Sequence, residues 1–216
     1  MTDASALATA LQVADSQFPG GGFAFSWGLE SLWREGQVER IHIGAFLSAQ
    51  LHGRWASFDR AVVADAHGAS LDHCAALDGM IEAMSWSAPL RDGSRRAGHA
   101  MLAAHARLGT PDAAEYRARK PDGHLPVVQG LVYAGLGLDR TEALTVSGMT
   151  FLNALASAAV RLNIVGALTV QGDVARLRHT VAALAMAEPP QQPRNFAPMA
   201  DVAMSRHTSG GALFAN

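Results

Sequence analysis

From Ile43 to Val62 the apolar residues return every three or four positions: Ile43, Phe46, Leu47, Leu51, Trp55, Phe58 and Val62 share one broad helical face. Nowhere does the chain alternate apolar with polar for long enough to make a half-buried strand, and β-branched runs are short. Together these features predict an all-α chain. On this helix His52, Asp59 and Arg60 are expected to lie away from the apolar face, while Gln50 and Arg54 interrupt it. A buried arginine must be paired, so Arg54 is either held by an acidic neighbour or marks where the face leaves the core for a partner.

The same periodicity predicts helices over 26–35, 71–86, 94–108, 111–119, 126–138, 141–171 and 173–187. Gly36, Gly68, Gly109, Gly123 and Gly172 stand near proposed ends, and Asp92, Thr110, Asp139 and Thr141 can cap the helices next in the chain. The stretch 143–160 carries no charge, but its threonines, serines, Asn153 and Gly148 make it too polar for a membrane span. It reads as the central helix of a bundle. With 216 residues, 49% of them hydrophobic and 17% charged, the chain has enough apolar surface for one core. The expected architecture is a single-domain multi-helix bundle over 1–188, then a Pro-rich linker and C-terminal tail over 189–216. Four prolines from Pro189 to Pro198 forbid a helix and favour an extended tether kept out of the bundle; a short helix is expected over 199–207. Met199, Val202, Met204, Leu213 and Phe214 give the tail more apolar surface than a solvated end normally carries. They cover either the chain's own bundle or a partner.

Seventeen basic residues against nineteen acidic leave a formal charge of −2, so no net field draws the chain to nucleic acid or an anionic membrane; such binding needs a local patch. The N-terminus carries Asp3 and Asp15 without a basic run, which argues against a targeting peptide, and one cysteine excludes an internal disulfide or a CxxC pair. A cytoplasmic location is expected. Nine histidines invite a metal reading, yet His67 and His73, like His99 and His105, are six apart and fall on different helix faces. Glu39 and His42 form one ExxH without a second. Adjacent helical residues point about 100° apart, so His73 is badly placed to activate Cys74. The FPGGGF run, residues 18–23, lacks the Lys and Ser/Thr of a phosphate loop. It is a tight turn set by Pro19, Gly20 and Gly21, serving either as an interhelix corner or as a docking loop with Phe18 and Phe23 as anchors. Asp15 and Ser26 can cap helices on either side, and a Val at Gly20 or Gly21 is disruptive if that position needs positive φ.

Four blocks carry a resemblance. Residues 11–30, LQVADSQFPGGGFAFSWGLE, closely resemble the opening signature of the UreF family of urease accessory proteins, LxxxDSxxPxGxFxxSxGLE. GHLPVVQG at 123–130 is similar to that family's GHxPxxxG, AVRLNIVG at 159–166 to its AxxRLxxxG, and PMADVAMSRH at 198–207 to its PxxDxxxxxH tail. The family tail usually ends Arg-Leu-Phe, whereas Ala212 precedes Leu213 and Phe214 here. On this resemblance Asp15, Pro19, Gly20, Gly21, Phe23, Ser26, Glu30, His124, Arg161, Asp201, His207 and Phe214 become the motif or partner-binding positions. Arg161, after a long uncharged run, is expected to be a paired structural cation rather than a surface charge. The resemblance implies a non-enzymatic, homodimeric, all-helical scaffold in the cytoplasm. It would work with a UreD/UreH-type accessory protein and a UreG-type GTPase to deliver nickel to apo-urease, without nucleic acid, membrane or a cofactor of its own. The alternative is a histidine-based nickel metallochaperone that binds the metal itself.

Overall fold

The computed structural model describes residues 3–20, 26–85 and 87–194, with the side chain of Ile41 outside the description. Among the described residues the regular structure is helical throughout. The helices are α1 (Ala4–Ala14), α2 (Leu29–Arg34), α3 (Ile43–Gln50), α4 (Arg60–Ala66), α5 (Leu71–Met84), α6 (Ala88–Leu108), α7 (Ala113–Ala118), α8 (Leu125–Gly135), α9 (Arg140–Arg161) and α10 (Ala167–Met186). A π-helical stretch, Leu51–Asp59, joins α3 to α4 without a break. The expected helix at 199–207 lies outside the described residues.

Two large apolar cores result, with a small third cluster of Val63, Ala64, Leu144 and Ala185. One gathers α2, α3, α9 and α10 around Leu47, Trp55, Leu152 and Val181; the other gathers α4 to α8 around Val62, Leu77, Leu102 and Val128. The α3–π–α4 helix and α9 pass through both, with Trp55 and Phe151 in the first core and Phe58 and Val146 in the second. They cross closely: a Cβ on Gly148 would lie 2.7 Å from the Trp55 ring. α9 is long and apolar enough to cross a membrane by length and composition, yet two thirds of its most apolar window (67%) is buried inside the bundle. It is the central helix that the sequence suggested.

Several boundaries differ from expectation, each for a local reason. The long helix expected over 141–171 is broken at 162–166, and Gly172 is inside α10 rather than at an end. Asn163 takes the left-handed conformation (φ 55°) that Asn tolerates, while the Ile164 N–H reaches the Ala159 carbonyl and the Asn163 N–H the Val160 carbonyl. That is a Schellman stop closed by buried Ile164. α6 begins at Ala88, with Pro89 in its first turn, so Asp92 is inside the helix rather than capping it. Asp112, not Thr110, precedes α7. Asp139 does cap α9, in a capping box with Glu142 (2.8 and 2.9 Å).

The start of the Pro-rich segment is fixed to the bundle. The Arg194 N–H donates to the Ser57 carbonyl (2.8 Å) and the Ser57 hydroxyl donates to the Arg194 carbonyl (2.5 Å), while Arg60 donates to the Leu184, Ala187 and Glu188 carbonyls at the end of α10. Cys74 is buried beside the Ala66 carbonyl, and burial pushes its thiol up to about 11; neighbouring His73 turns to Asp65 instead (3.0 Å). α6 and the turn before α8 approach so closely that a Cβ on Gly98 would sit 1.9 Å from the Gly123 carbonyl oxygen. Gly98→Ala is therefore expected to destabilise the fold by about 3 kcal/mol, read as a lower Tm or denaturant midpoint, because a backbone carbonyl cannot yield as a side chain can.

Candidate functional site

The GHLPVVQG segment is built against a carboxylate that its own motif does not contain. Asp78 lies on the buried stripe of α5 with Cys74, Leu77 and Ile81. It accepts the Gly123 N–H (2.6 Å), the His124 N–H (2.8 Å) and the Tyr116 hydroxyl (3.1 Å). This caps the start of α8 from a different helix, which frees the His124 side chain for another role. Glu82, one turn along α5, accepts from His124 Nε2 (3.0 Å) and is paired by Arg91 (3.2 Å) and Arg95 (3.6 Å). Burial lowers the His124 pKa and outweighs the pull of Asp78 and Glu82, so the ring is neutral with its proton on Nε2. Gly123 has φ 73°, and a Cβ there would lie 2.2 Å from the His99 ring; Gly130 lets α8 touch α4 at Ala66 and Val63. Gly123, His124 and Gly130 of the segment thus each answer a geometric demand.

The π stretch explains a second buried group. Arg54 and Asp59 form a sealed ion pair (3.2 Å) five residues apart, a spacing that ordinary helical winding places on different sides. Here the Arg60 N–H bonds to the Trp55 carbonyl, a step of five, so positions 54 and 59 stack. For the same reason Asp59 and Arg60, expected off the apolar face, are buried, whereas His52 is exposed as expected. The Arg54 guanidinium also sits over the Phe58 (4.6 Å) and Trp27 (5.5 Å) rings. Burial raises the Asp59 pKa, and Arg54 opposes that rise. Beside this pair a polar chain crosses the bundle: Trp55 Nε1 donates to the Ser147 hydroxyl (3.1 Å), which donates to the Gln129 side-chain carbonyl (3.0 Å).

The N-terminal signature reaches the same region. Asp15 is exposed after α1 and its carboxylate accepts the Gln17 N–H (2.7 Å); around Pro19, the Gly20 N–H closes a tight turn to the Phe18 carbonyl (2.7 Å). Gly20 does not have positive φ, and among the described residues a Cβ on it would meet only Phe18 at an ordinary 3.6 Å, so the positive-φ demand suggested for this position is absent. Phe18 stacks on buried His105 (5.0 Å). Ser26 and Glu30 are both buried: the Ser26 hydroxyl accepts the Glu30 N–H (3.5 Å), and the Glu30 carboxylate pairs with Arg34 (2.9 Å). Gly21, Phe23, Asp201, His207 and Phe214 lie outside the described residues.

Asp15, Gly20, Trp27, Asp59, Pro126 and Gln129 meet around a cavity of about 60 Å³ between the two cores. The first two signature blocks therefore converge there with the π stretch, while His124 turns to Glu82 and does not line it. For Arg161 the expectation is a paired structural cation, and the structure places it outside the core. It is exposed at the end of α9, where a positive charge complements the carbonyl end of the helix, and it shares a groove with Asp15 and Asn153. Sequence reading missed Asp78, Glu82 and Arg60. The available signal for Asp78 was a carboxylate on the helical stripe of Cys74, Leu77 and Ile81.

A family model described as UreF matches residues 40–178. The chain belongs to the UreF family. Its similarity to proteins named urease accessory protein UreF runs to 29% identity with that of Actinobacillus pleuropneumoniae, covering 64% of this chain and 65% of the relative. It is 30% with that of Arthrobacter sp. (strain FB24), over 69% and 68%, and 28% with that of Trichodesmium erythraeum (strain IMS101), over 100% and 99%. The Actinobacillus alignment thus spans just under two thirds of that relative. The UreF match contains the Asp78–His124 cap, the π stretch and Arg161, whereas the first signature block precedes it.

Removing one member of the sealed pair leaves a buried charge, so Asp59→Ala is expected to cost about 3–5 kcal/mol in chemical denaturation, and Arg54→Met with Asp59→Leu to recover most of it. Burial lowers the His105 pKa to about 4 from 6.5. The unfolded chain then binds a proton that the folded one refuses, so this site's contribution is intact above about pH 6.5 and is lost as pH falls toward 4. A pH series of melting curves should show this acid decline, and His105→Gln should flatten it.

Proposed function

We propose that this UreF chain is a non-catalytic scaffold for urease maturation. It joins a UreD/UreH-type accessory protein and a UreG-type GTPase on apo-urease, couples the GTPase state to delivery of nickel as cargo, and acts as a homodimer. The observation that carries this reading is the family match over residues 40–178. The chemistry of three buried groups supports it, because each is committed to holding the fold: Asp59 to Arg54, Asp78 to a helix start, and the Cys74 thiol to a protonated, buried state. Among the described residues no group of three or more His, Cys, Asp or Glu is arranged to hold a metal ion. On this reading nickel is cargo that the assembly passes to apo-urease rather than a metal this chain keeps.

The tail is proposed as the partner-binding segment. The chain is fixed at Arg194, so truncation beyond that point spares the anchor. Co-expression with the urease operon products should show urease activation that needs this chain. Deletion of 198–216 should leave the melting temperature nearly unchanged and abolish pull-down of the UreD/UreH-type partner. Equilibrium dialysis should find little nickel on the isolated chain; stoichiometric tight binding would favour the metallochaperone, and activation without the chain would refute the scaffold.

A further inference from the structure

A chain of net charge −2 keeps a groove in which cations face no acid partner among the described residues. Between the end of α6 and α7 the groove is lined by Arg107, Arg117 and Lys120 over a floor of Ala106, Ala114 and Ala118. Nearby cations are neutralised: Arg119 pairs with Asp72 (2.6 Å) and Glu115 (2.9 Å), and Arg95 pairs with Glu82 (3.6 Å) and Asp122 (4.0 Å). Arg107, Arg117 and Lys120 are exposed and enter no ion pair among the described residues. Their positions are set by the backbone. Arg107 rides the last turn of α6, Arg117 the last turn of α7, and Lys120 has φ 53° just before Pro121. Such a groove gives carboxylates three donors at its rim and small apolar contacts at its base.

We propose that this α6–α7 groove docks an acidic segment of a partner protein, an inference that rests on the scaffold reading. Charge complementarity selects the occupant. Three cations release too few counterions to hold a polynucleotide at physiological salt, and they are too few to fix the chain to an anionic membrane. A short run of Glu or Asp side chains can meet the three cations individually beside the alanines that share the groove.

The test uses the full chain and fluorescein-labelled octaglutamate, followed by anisotropy at low and physiological salt. Replacement Arg107→Glu, Arg117→Glu and Lys120→Glu together should weaken binding by about tenfold or more, whereas Arg176→Glu with Arg178→Glu on α10 should change it by less than about threefold. The conservative set Arg107→Lys, Arg117→Lys and Lys120→Arg should retain it. In cells co-expressing the urease operon, the charge-reversed groove should lower urease activation while the protein stays soluble with a wild-type melting curve. Octaglutamate binding that ignores the three residues overturns the proposal. So does tighter binding of oligouridylate or phosphatidylserine vesicles through them, or wild-type urease activation by the reversed variant. Failure of the scaffold reading is seen separately, as urease activation in cells that lack the chain altogether.

Discussion

A guanidinium and a carboxylate sealed inside a helical bundle have to meet, and Arg54 and Asp59 are spaced so that regular winding keeps them apart. The wider π turn resolves this, and it governs much else. It rotates Arg60 toward the end of α10, where its donors reach the Leu184, Ala187 and Glu188 carbonyls at the helix end. Within the same stretch Ser57 exchanges hydrogen bonds with Arg194, so one segment of helix both seats the ion pair and holds the start of the Pro-rich segment. Because the α3–π–α4 helix runs through both cores, its register fixes how they sit against each other.

The second organising device is economy of space around α8. Gly98, Gly123 and Gly130 remove three Cβ atoms where α6, the turn before α8 and α4 meet, and Asp78 supplies the hydrogen bonds that this crowded turn needs. His124 then secures α5 to α8 through Glu82. The segment is thus a joint between helices rather than a reactive centre, and its sequence pattern is the imprint of close packing.

Helical class, the central role of α9 and the pairing demand on Arg54 were all legible, because each arises from spacing along one element. The break at Asn163 was not, since only the tertiary position of Ile164 makes a stop there preferable to another turn. Asp59 and Arg60 were misplaced because a 3.6-residue period was assumed where the chain winds wider. Asp78 and Tyr116 are thirty-eight positions apart, a separation at which no local pattern reveals a bond. The signature blocks identified the family without revealing that two of them enclose one cavity.

The state of Cys74 has a practical consequence. With its thiol pushed up to about 11, about one molecule in ten thousand carries a thiolate at neutral pH, and that sulfur is shut away from solvent. Maleimide reagents and peroxide therefore find almost nothing to attack in the folded protein. A cysteine introduced at any exposed position becomes the single addressable one, so the chain accepts site-specific dyes or spin labels with its native residue left in place.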